Sequence, residues 1–344
     1  MNISISTFNL CNLQRSGQEM FGSFSWTPVQ YQRKVGWIAE QLRTQPSTLF
    51  CFQEVWNGEA LQDVFNTAQL ADSYYLVCHE SCDSMNVAIA VQKDWEIIST
   101  EWITAFPPEL VWRSDDTRYE ITVKIDRFSR PLLKVRLRAP DGRTLSVFNT
   151  HLKSRLPIPP NFTASADGRA PEQINNSYYG AGTDHWLDIG RALAGMRRLA
   201  EAAVLRLLVN RQLAQSTDAV IVAGDCNDRY PGNVLDVLKG DTRFRRSSKN
   251  RSGRRADWGL YHLLDLAADR NLLTSKDSDY ITFSGEDEQL ALDHLLFSWH
   301  FHARAADYRW RLHEWNIDSK HLGSGKPYVS DHAMVTAHFA GCGR

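Results

Sequence analysis

The sequence predicts an α/β fold in which two β-sheets pack together with helices outside them. Three observations predict it. The apolar run Ala219 to Ala223 stops abruptly at Gly224, Asp225, Cys226, Asn227 and Asp228, as a buried strand does when it enters a polar turn. Six strand-like segments follow one another between residues 74 and 149, and four more follow residue 278. One long helical pattern, Ile189 to Leu213, separates the two groups. A chain of 344 residues suits one large α/β domain or two small ones. No internal repeat or low-complexity linker interrupts it, so one domain over 1–344 is expected.

The elements follow in order. Ile3 to Phe8 alternates apolar and polar residues and reads as a strand ending at Asn9. Residues 10–28 read as irregular. Tyr31 to Arg43 is helical, with Val35, Ile38 and Leu42 on one face and Pro46 after it. Thr48 to Phe52 is a buried strand ending in Gln53 and Glu54. Leu61, Val64, Phe65 and Ala68 mark a second amphipathic helix. Strands then follow at 74–79, 86–92, 95–104, 119–126, 131–138 and 144–149, and Asp141-Gly142 is a hairpin turn between the last two. The last of them runs into Thr150, His151, Leu152, Lys153 and Ser154.

Residues 155–186 break the pattern with four prolines, several glycines, Tyr178, Tyr179 and Trp186. A loop that long is either a substrate-contacting lid or a passive insertion. The helix 189–213 carries Ile189, Leu193, Met196, Ala200, Ala203 and Leu207 on one stripe and leads into the strand at 219. A short helix, Asn233 to Leu238, comes next. Between Arg243 and Arg255 lie seven cations and no acid: Arg243, Arg245, Arg246, Lys249, Arg251, Arg254 and Arg255. Such a run is a solvated loop or a phosphate-backbone contact. Strands at 279–283, 292–298, 306–312 and 333–339 complete the chain.

Composition narrows the function. The net charge of −1 gives no global field for polyanions, so any attraction to them is local. The six cysteines form no CxxC pair, which disfavours a zinc ribbon and fits a reducing compartment. A strand starting almost at Met1 leaves no room for a signal peptide, and no apolar run reaches the ~20 residues a membrane span needs. A cytoplasmic protein is expected.

Polar groups gather at the strand boundaries: Asn9, Glu54, His151, Asp225 with Asn227, Asp293, and Asp331 with His332. Any one of them alone is an ordinary cap or turn residue. Together they offer carboxylate and amide oxygens and two imidazoles. Without paired thiolates, that donor set suits a hard cation, Mg²⁺ or Mn²⁺. The combination suits phosphoryl transfer to water, with a carboxylate handling the water and a cationic histidine stabilising the phosphorane.

Six motifs occur in one order: Phe8-Asn9, Gln53-Glu54-Val55, Asn149-Thr150-His151-Leu152-Lys153-Ser154, Gly224-Asp225-Cys226-Asn227-Asp228, Leu292-Asp293-His294 and Ser330-Asp331-His332. The set resembles the endonuclease/exonuclease/phosphatase superfamily, and the likeness runs from residue 3 to 339. The resemblance implies a four-layered α/β sandwich with two central mixed β-sheets flanked by helices. It implies Glu54 as principal metal ligand with Asn9 beside it and Asp331 as a further metal-site carboxylate. Asp225 would orient or deprotonate water, Asn227 would hold the phosphate or the nucleophile, and His332 would contact the scissile phosphate with Asp293 behind it. His151 matches a position near the phosphate. Two positions depart from particular branches. Cys11 stands where abasic-site endonucleases carry an acid, and Asp228-Arg229 stands where inositol phosphatases carry an aromatic and a basic residue. The Gly-Asp-Cys-Asn-Asp form looks more like bacterial nuclease-type members.

The leading expectation is a metal-dependent phosphodiesterase acting on nucleic acid, DNA first, with Lys153 and the cations Arg243, Arg245, Arg246, Lys249 and Arg251 as substrate contacts. The alternative is a phosphomonoesterase or phospholipid hydrolase of the same fold, for which Trp102 to Trp112 is the candidate membrane-facing apolar segment. A third reading is a binding module without activity.

Overall fold

The computed structural model describes residues 1–81, 83–110, 112–113, 124–158, 183–240, 258–273, 280–286, 288–305 and 307–342. The cations of 243–255 and most of the irregular stretch 155–186 lie outside the described residues.

In chain order the elements are β1 (Ile3–Leu13), α1 (Pro28–Thr44), β2 (Leu49–Val55), α2 (Gly58–Thr67), β3 (Tyr74–Val77), β4 (Asn86–Gln92), β5 (Glu96–Ala105), β6 (Trp112–Arg113), β7 (Lys124–Ile125), β8 (Arg127–Arg138) and β9 (Thr144–His151). They continue with α3 (Thr183–Gln215), β10 (Ala219–Asp225), α4 (Asn233–Lys239), β11 (Tyr261–His262), α5 (Leu263–Asp269), β12 (Phe283–Ser284), β13 (Gln289–Leu290), β14 (Asp293–Phe297), β15 (Trp310–Asp318) and β16 (Met334–Gly341).

Two six-stranded sheets form the centre, ordered β15-β16-β1-β2-β4-β3 and β11-β14-β10-β9-β8-β5. Both are mixed. Each holds a parallel pair, β1 with β2 and β9 with β10, and antiparallel neighbours enclose it on both sides. Strand alternation sorts the apolar residues into layers. Ile3, Ile5, Leu49 and Cys51 of one sheet meet Leu145, Val147, Ile221, Ala223 and Leu295 of the other in the core between the sheets. Phe50 and Phe52 face outward against Ile38 and Leu42 of α1 and Leu61 and Phe65 of α2. Val220 and Val222 face the opposite way, against Val204, Leu205 and Val209 of α3 and Leu235 of α4. The layers run helix, sheet, sheet, helix.

Several boundaries differ from those the sequence suggests. β1 does not stop at Asn9 but continues to Leu13 beside β2, across a register shift between Asn9 and Leu13. α1 starts at Pro28, where Thr27 accepts from the Gln30 amide and Gln30 returns the bond in a capping box. The strand expected at 119–126 lies largely outside the described residues. Its end, Lys124–Ile125, pairs with Trp112–Arg113. The strand expected at 306–312 sits later, at Trp310–Asp318, where it pairs with β16. On α3, Ile189, Met196 and Leu207 of the expected stripe are exposed while Ala200 is buried, and the inward face also carries Ala194, Glu201, Val204, Leu205 and Val209. The apolar stripe was displaced because a buried acid, Glu201, belongs to the inner face. In the candidate membrane segment, Phe106 is buried in the helix-side core and Trp102 packs on the inter-sheet core, which leaves neither as a membrane anchor.

Candidate active site

Register and alternation assemble the site. His151, Asp225 and Asp293 are direct partners across β9, β10 and β14, so their side chains share one row. On β10 the residues 219, 221 and 223 face the inter-sheet core, and Asp225 continues that face at the strand's end. Cys226 turns the other way, into the helix-side core. Asn9 follows Ile3 and Ile5 on the inner face of β1 in the same manner. The carboxyl ends of both parallel pairs therefore open into one cleft, the usual ligand position in sheets of this kind.

Glu54 reaches that cleft by breaking alternation. After the outward Phe50 and Phe52, strict alternation would send Glu54 outward too. Its φ of 59° and the register shift between Phe52 and Val55 reverse the parity, and Val55 joins the outer core instead. A left-handed conformation is costly for a glutamate and is typical of functional positions. Asn12 (φ 64°) supplies an N–H to Glu54 Oε2 at 3.0 Å. Gly224 is required by its neighbour: at φ 140°, a Cβ there would lie 1.9 Å from the Thr150 carbonyl oxygen.

The cleft has two chemically distinct sides with Asp225 between them. On one side, Asn9 Nδ2 donates to Glu54 Oε1 (3.2 Å) and to Asp225 Oδ2 (3.1 Å), which joins the two sheets. A second polar bridge lies below it, where Gln53 Nε2 donates to Asn149 Oδ1 at 2.8 Å. On the other side, His332 Nδ1 lies 2.8 Å from Asp293 Oδ2, and His332 Nε2 lies 3.9 Å from Asp225 Oδ2. Ser330 holds this loop by donating to the Asn9 carbonyl and accepting from the His332 N–H. Thr282 Oγ1 accepts from the Asp293 N–H, and the Tyr280 hydroxyl donates to the Asp293 carbonyl. His151 Nε2 is 3.5 Å from Asp225 Oδ2.

Electrostatics separate the two histidines. Burial opposes charge on both. For His332 the Asp293 carboxylate, followed by Asp225, overcomes it and raises the pKa well above the ordinary histidine value. For His151, burial is reinforced by Arg130 and His332, and the ring is held neutral. Burial, with Asp293 and Glu54 nearby, pushes the Asp225 carboxyl up to about 7 against the pull of His332. Asn227 (φ 52°) closes the turn: its N–H donates to Asp225 Oδ1 at 2.8 Å, and its Nδ2 donates to the Leu152 carbonyl at 3.1 Å.

The donor set fits a hard divalent cation. Glu54, Asp225, Asp293 and Asp331 supply carboxylate oxygens, and Asp293 Oδ1 is buried with no hydrogen-bond partner among the described residues. No thiolate competes, because burial and Asp331 push the Cys11 thiol up to about 12, and burial raises the Cys226 thiol well above its ordinary value. Asp225, Asp293 and His332 form a compact group, with ligand atoms within 4.8 Å of one another. His332 is a poor ligand there: as an imidazolium it donates from both nitrogens and has no lone pair to offer. Glu54 is better placed to hold a cation, and beside it Asn9 Oδ1, which accepts from the Cys11 N–H at 3.0 Å, keeps a second lone pair. The Cys11 thiol donates to Asp331.

Lys153 behaves differently from a free substrate contact. Its ammonium turns back onto Ser154 O (3.2 Å), Ser154 Oγ (2.9 Å) and Leu156 O (3.0 Å), and burial with Arg130 nearby lowers its pKa to about 8. Two site neighbours escape a reading of the sequence. Arg130 donates from Nη1 to the Leu152 carbonyl at 3.0 Å and acts electrostatically on Glu54 and Asp225. Lys34 of α1 is fully buried, its ammonium 4.9 Å from the Trp26 ring, and burial lowers its pKa. Neither lies in a polar cluster at a strand end, the signal that marks the others.

No helix among the described residues is long and apolar enough to cross a membrane. No curated protein sequence matches the chain significantly. Solved structures do match the fold. TDP2 from Caenorhabditis elegans gives a TM-score of 0.54 at 14% identity, over 98% of this chain and 97% of that one. The human Nocturnin catalytic domain, solved with a bound sulfate anion, gives 0.53 at 14% identity, over 99% and 95%. An endonuclease/exonuclease/phosphatase family protein from Bacteroides thetaiotaomicron gives 0.52 at 12% identity, over 98% and 95%. The sequence profile of the Endonuclease/Exonuclease/phosphatase family matches residues 7–343. The two mixed sheets, the cleft at the ends of their parallel pairs and that profile lead to one conclusion: the chain belongs to the Endonuclease/Exonuclease/phosphatase family, whose enzymes are divalent-metal-dependent phosphoesterases.

Proposed function

We propose that the chain is a phosphodiesterase that hydrolyses nucleic acid, with DNA as the preferred substrate and Mg²⁺ or Mn²⁺ as the cation. One observation carries the reading. The buried Asp225 carboxylate lies between an oxygen-rich side, Glu54 and Asn9, and a cationic side, the His332–Asp293 pair. Hydrolysis of a phosphodiester needs both poles, one to generate and aim the nucleophile and one to receive charge on the phosphoryl oxygens.

Asp225 is the proton acceptor for the attacking water, and its raised pKa lets it take that proton near neutrality. Asn9 fixes Asp225 by donating to Oδ2, and the Asn227 N–H fixes Oδ1. His332 keeps its Nδ1 proton on Asp293 and offers the Nε2 proton to the phosphate. Asn227 spends one amide proton on Leu152 and keeps the other for a phosphoryl oxygen. Glu54, Asn9 and Asp331 are the residues assigned to the cation, which when bound supplies charge neutralisation at the phosphate. The cations of 243–255, outside the described residues, support a long polyanion over a small phosphoester. The burial of Phe106 and the packing of Trp102 count against a membrane-bound lipid substrate.

A substrate panel tests this: plasmid DNA, single-stranded DNA, abasic duplex, RNA, a phosphoinositide and sphingomyelin, each with Mg²⁺, Mn²⁺ or chelator. Cation-dependent cleavage of a nucleic acid is expected. Turnover of the lipids alone would replace this reading with the lipid hydrolase.

A further inference from the structure

The peptide plane between Leu152 and Lys153 sits at the centre of a hydrogen-bond array that α3 controls. Its carbonyl, Leu152 O, receives Asn227 Nδ2 (3.1 Å) and Arg130 Nη1 (3.0 Å). Its amide, Lys153 N, donates to Glu201 Oε2 at 2.7 Å. A peptide unit is planar, so holding the amide end fixes the direction of the carbonyl end. One helical turn before Glu201, Arg198 donates from Nη1 to the Lys153 carbonyl at 3.0 Å. Two α3 side chains thus grip Lys153 at both its N–H and its C=O. The other Glu201 oxygen, Oε1, accepts from the Ser129 N–H and hydroxyl, both at 2.6 Å, and so fixes the strand directly before Arg130.

We infer that Glu201, with Arg198, is a positioning residue for the phosphate-facing amide of Asn227 and for Arg130 beside it, acting through the Leu152–Lys153 peptide. This rests on the phosphodiesterase reading above. Glu201 is fully buried, 24 positions before Asp225. A buried carboxylate is expensive unless it is hydrogen-bonded, and here both oxygens are: Oε1 also receives Arg197 Nε at 3.4 Å, and Oε2 receives Lys153 N. Packing alone would be served by a leucine. The carboxylate earns its place by presenting acceptors to two separate segments, Ser129 and Lys153, at once. Glu201→Gln keeps the shape but has a single acceptor oxygen, so its NH₂ must face one of those donors. With the NH₂ toward Lys153 the peptide plane turns and Leu152 O leaves Asn227, and with the NH₂ toward Ser129 the Ser129 N–H is unpaired and the strand that carries Arg130 shifts away from Leu152 O.

The test compares wild type, Glu201→Gln, Glu201→Ala, Arg198→Met and Arg198→Lys. Steady-state cleavage of DNA, calorimetric Mn²⁺ binding and the side-chain amide resonance of Asn227 in ¹⁵N-asparagine-labelled protein are measured. Glu201→Gln should lower kcat by roughly 10–100-fold, the scale of a misplacement of about 1 Å. KM and Mn²⁺ affinity should hold while the Asn227 resonance shifts and loses exchange protection, and Arg198→Lys should recover part of the loss of Arg198→Met. Folded Glu201→Gln protein with wild-type kcat and an unmoved Asn227 resonance would overturn the inference. So would a kcat loss with that resonance unmoved. If Glu201→Ala does not fold, Glu201→Gln decides. If wild type cleaves no phosphodiester, the functional reading fails, and the resonance alone decides the positioning claim.

Discussion

His332 Nδ1 and Asp293 Oδ2 lie 2.8 Å apart, and both residues are buried. Such a pair keeps the imidazole charged, because breaking it would leave a buried carboxylate alone. The pair also fixes which ring nitrogen faces Asp225. Removing the partner, Asp293→Asn, should therefore cost kcat about 10²–10⁴-fold, the range for a general acid–base group. The pH dependence follows from the direction of the His332 shift. A raised pKa keeps the imidazolium to higher pH, so the wild-type alkaline limb lies well above the ordinary histidine value. In Asp293→Asn that limb should move toward acid. The contribution of His332 to stability has the same sign: full below about pH 6.5, the unfolded value, and lost as pH rises through the folded value. An unmoved alkaline limb in the variant would show that the limb belongs to another group.

Asp225→Asn should separate activity from stability. The variant loses the proton acceptor and should fall to background cleavage. The wild-type carboxyl, raised to about 7, costs stability when it ionises. That cost is absent at acid pH and grows as pH rises from the unfolded value toward and past 7. In chelator at pH 8, Asp225→Asn should melt higher than wild type, at roughly 2–4 °C per kcal/mol for a large domain. At pH 4 the two should melt together. A variant that melts lower at pH 8 would show that the charge of Asp225 is needed to hold His332.

Much of this site was legible in the sequence through alternation. Residues 3, 5 and 9, 147 and 151, and 221, 223 and 225 each keep one parity along a strand, and that parity brings Asn9, His151 and Asp225 to one face. Glu54 has the wrong parity for its place, and only a left-handed backbone corrects it. The inner face of α3 departs from the apolar stripe for a related reason. Glu201 counts as polar in any periodicity, yet it is buried because Ser129 and Lys153 satisfy it. Arg130 carries no local signal, because its partner is a backbone carbonyl in another segment. Tertiary partners, not local pattern, decide such cases.

Glu54→Gln tests the cation side alone. Its carboxylate accepts from Asn9 Nδ2 and the Asn12 N–H and lies 4.0 Å from His151 Nε2. Mn²⁺ affinity by calorimetry should fall by more than about 100-fold, the upper range for groups that merely support a ligand. Asp331→Asn should have the smaller effect, since Asp331 pairs with the Cys11 thiol. Equal affinities in Glu54→Gln and wild type would move the cation to another set of oxygens.

Gly224→Ala tests the architecture beneath the chemistry. The added methyl would meet the Thr150 carbonyl at 1.9 Å and an unfavourable φ. β9 and β10 would have to separate where they carry His151 and Asp225. Denaturant unfolding should show a loss of about 3 kcal/mol or more, within the range of severe backbone and packing defects. A loss under about 0.5 kcal/mol, the size of an ordinary surface substitution, would contradict the close approach.

The central claim is that one cleft, with Asp225 between Glu54 and His332, hydrolyses nucleic-acid phosphodiesters. Its most direct test is plasmid cleavage in Mg²⁺ and Mn²⁺ by wild type, Asp225→Asn and His332→Ala, with folding of each verified by circular dichroism. Cation-dependent cleavage by wild type alone, abolished by chelator, is the predicted result. Equal cleavage by all three folded proteins would contradict it.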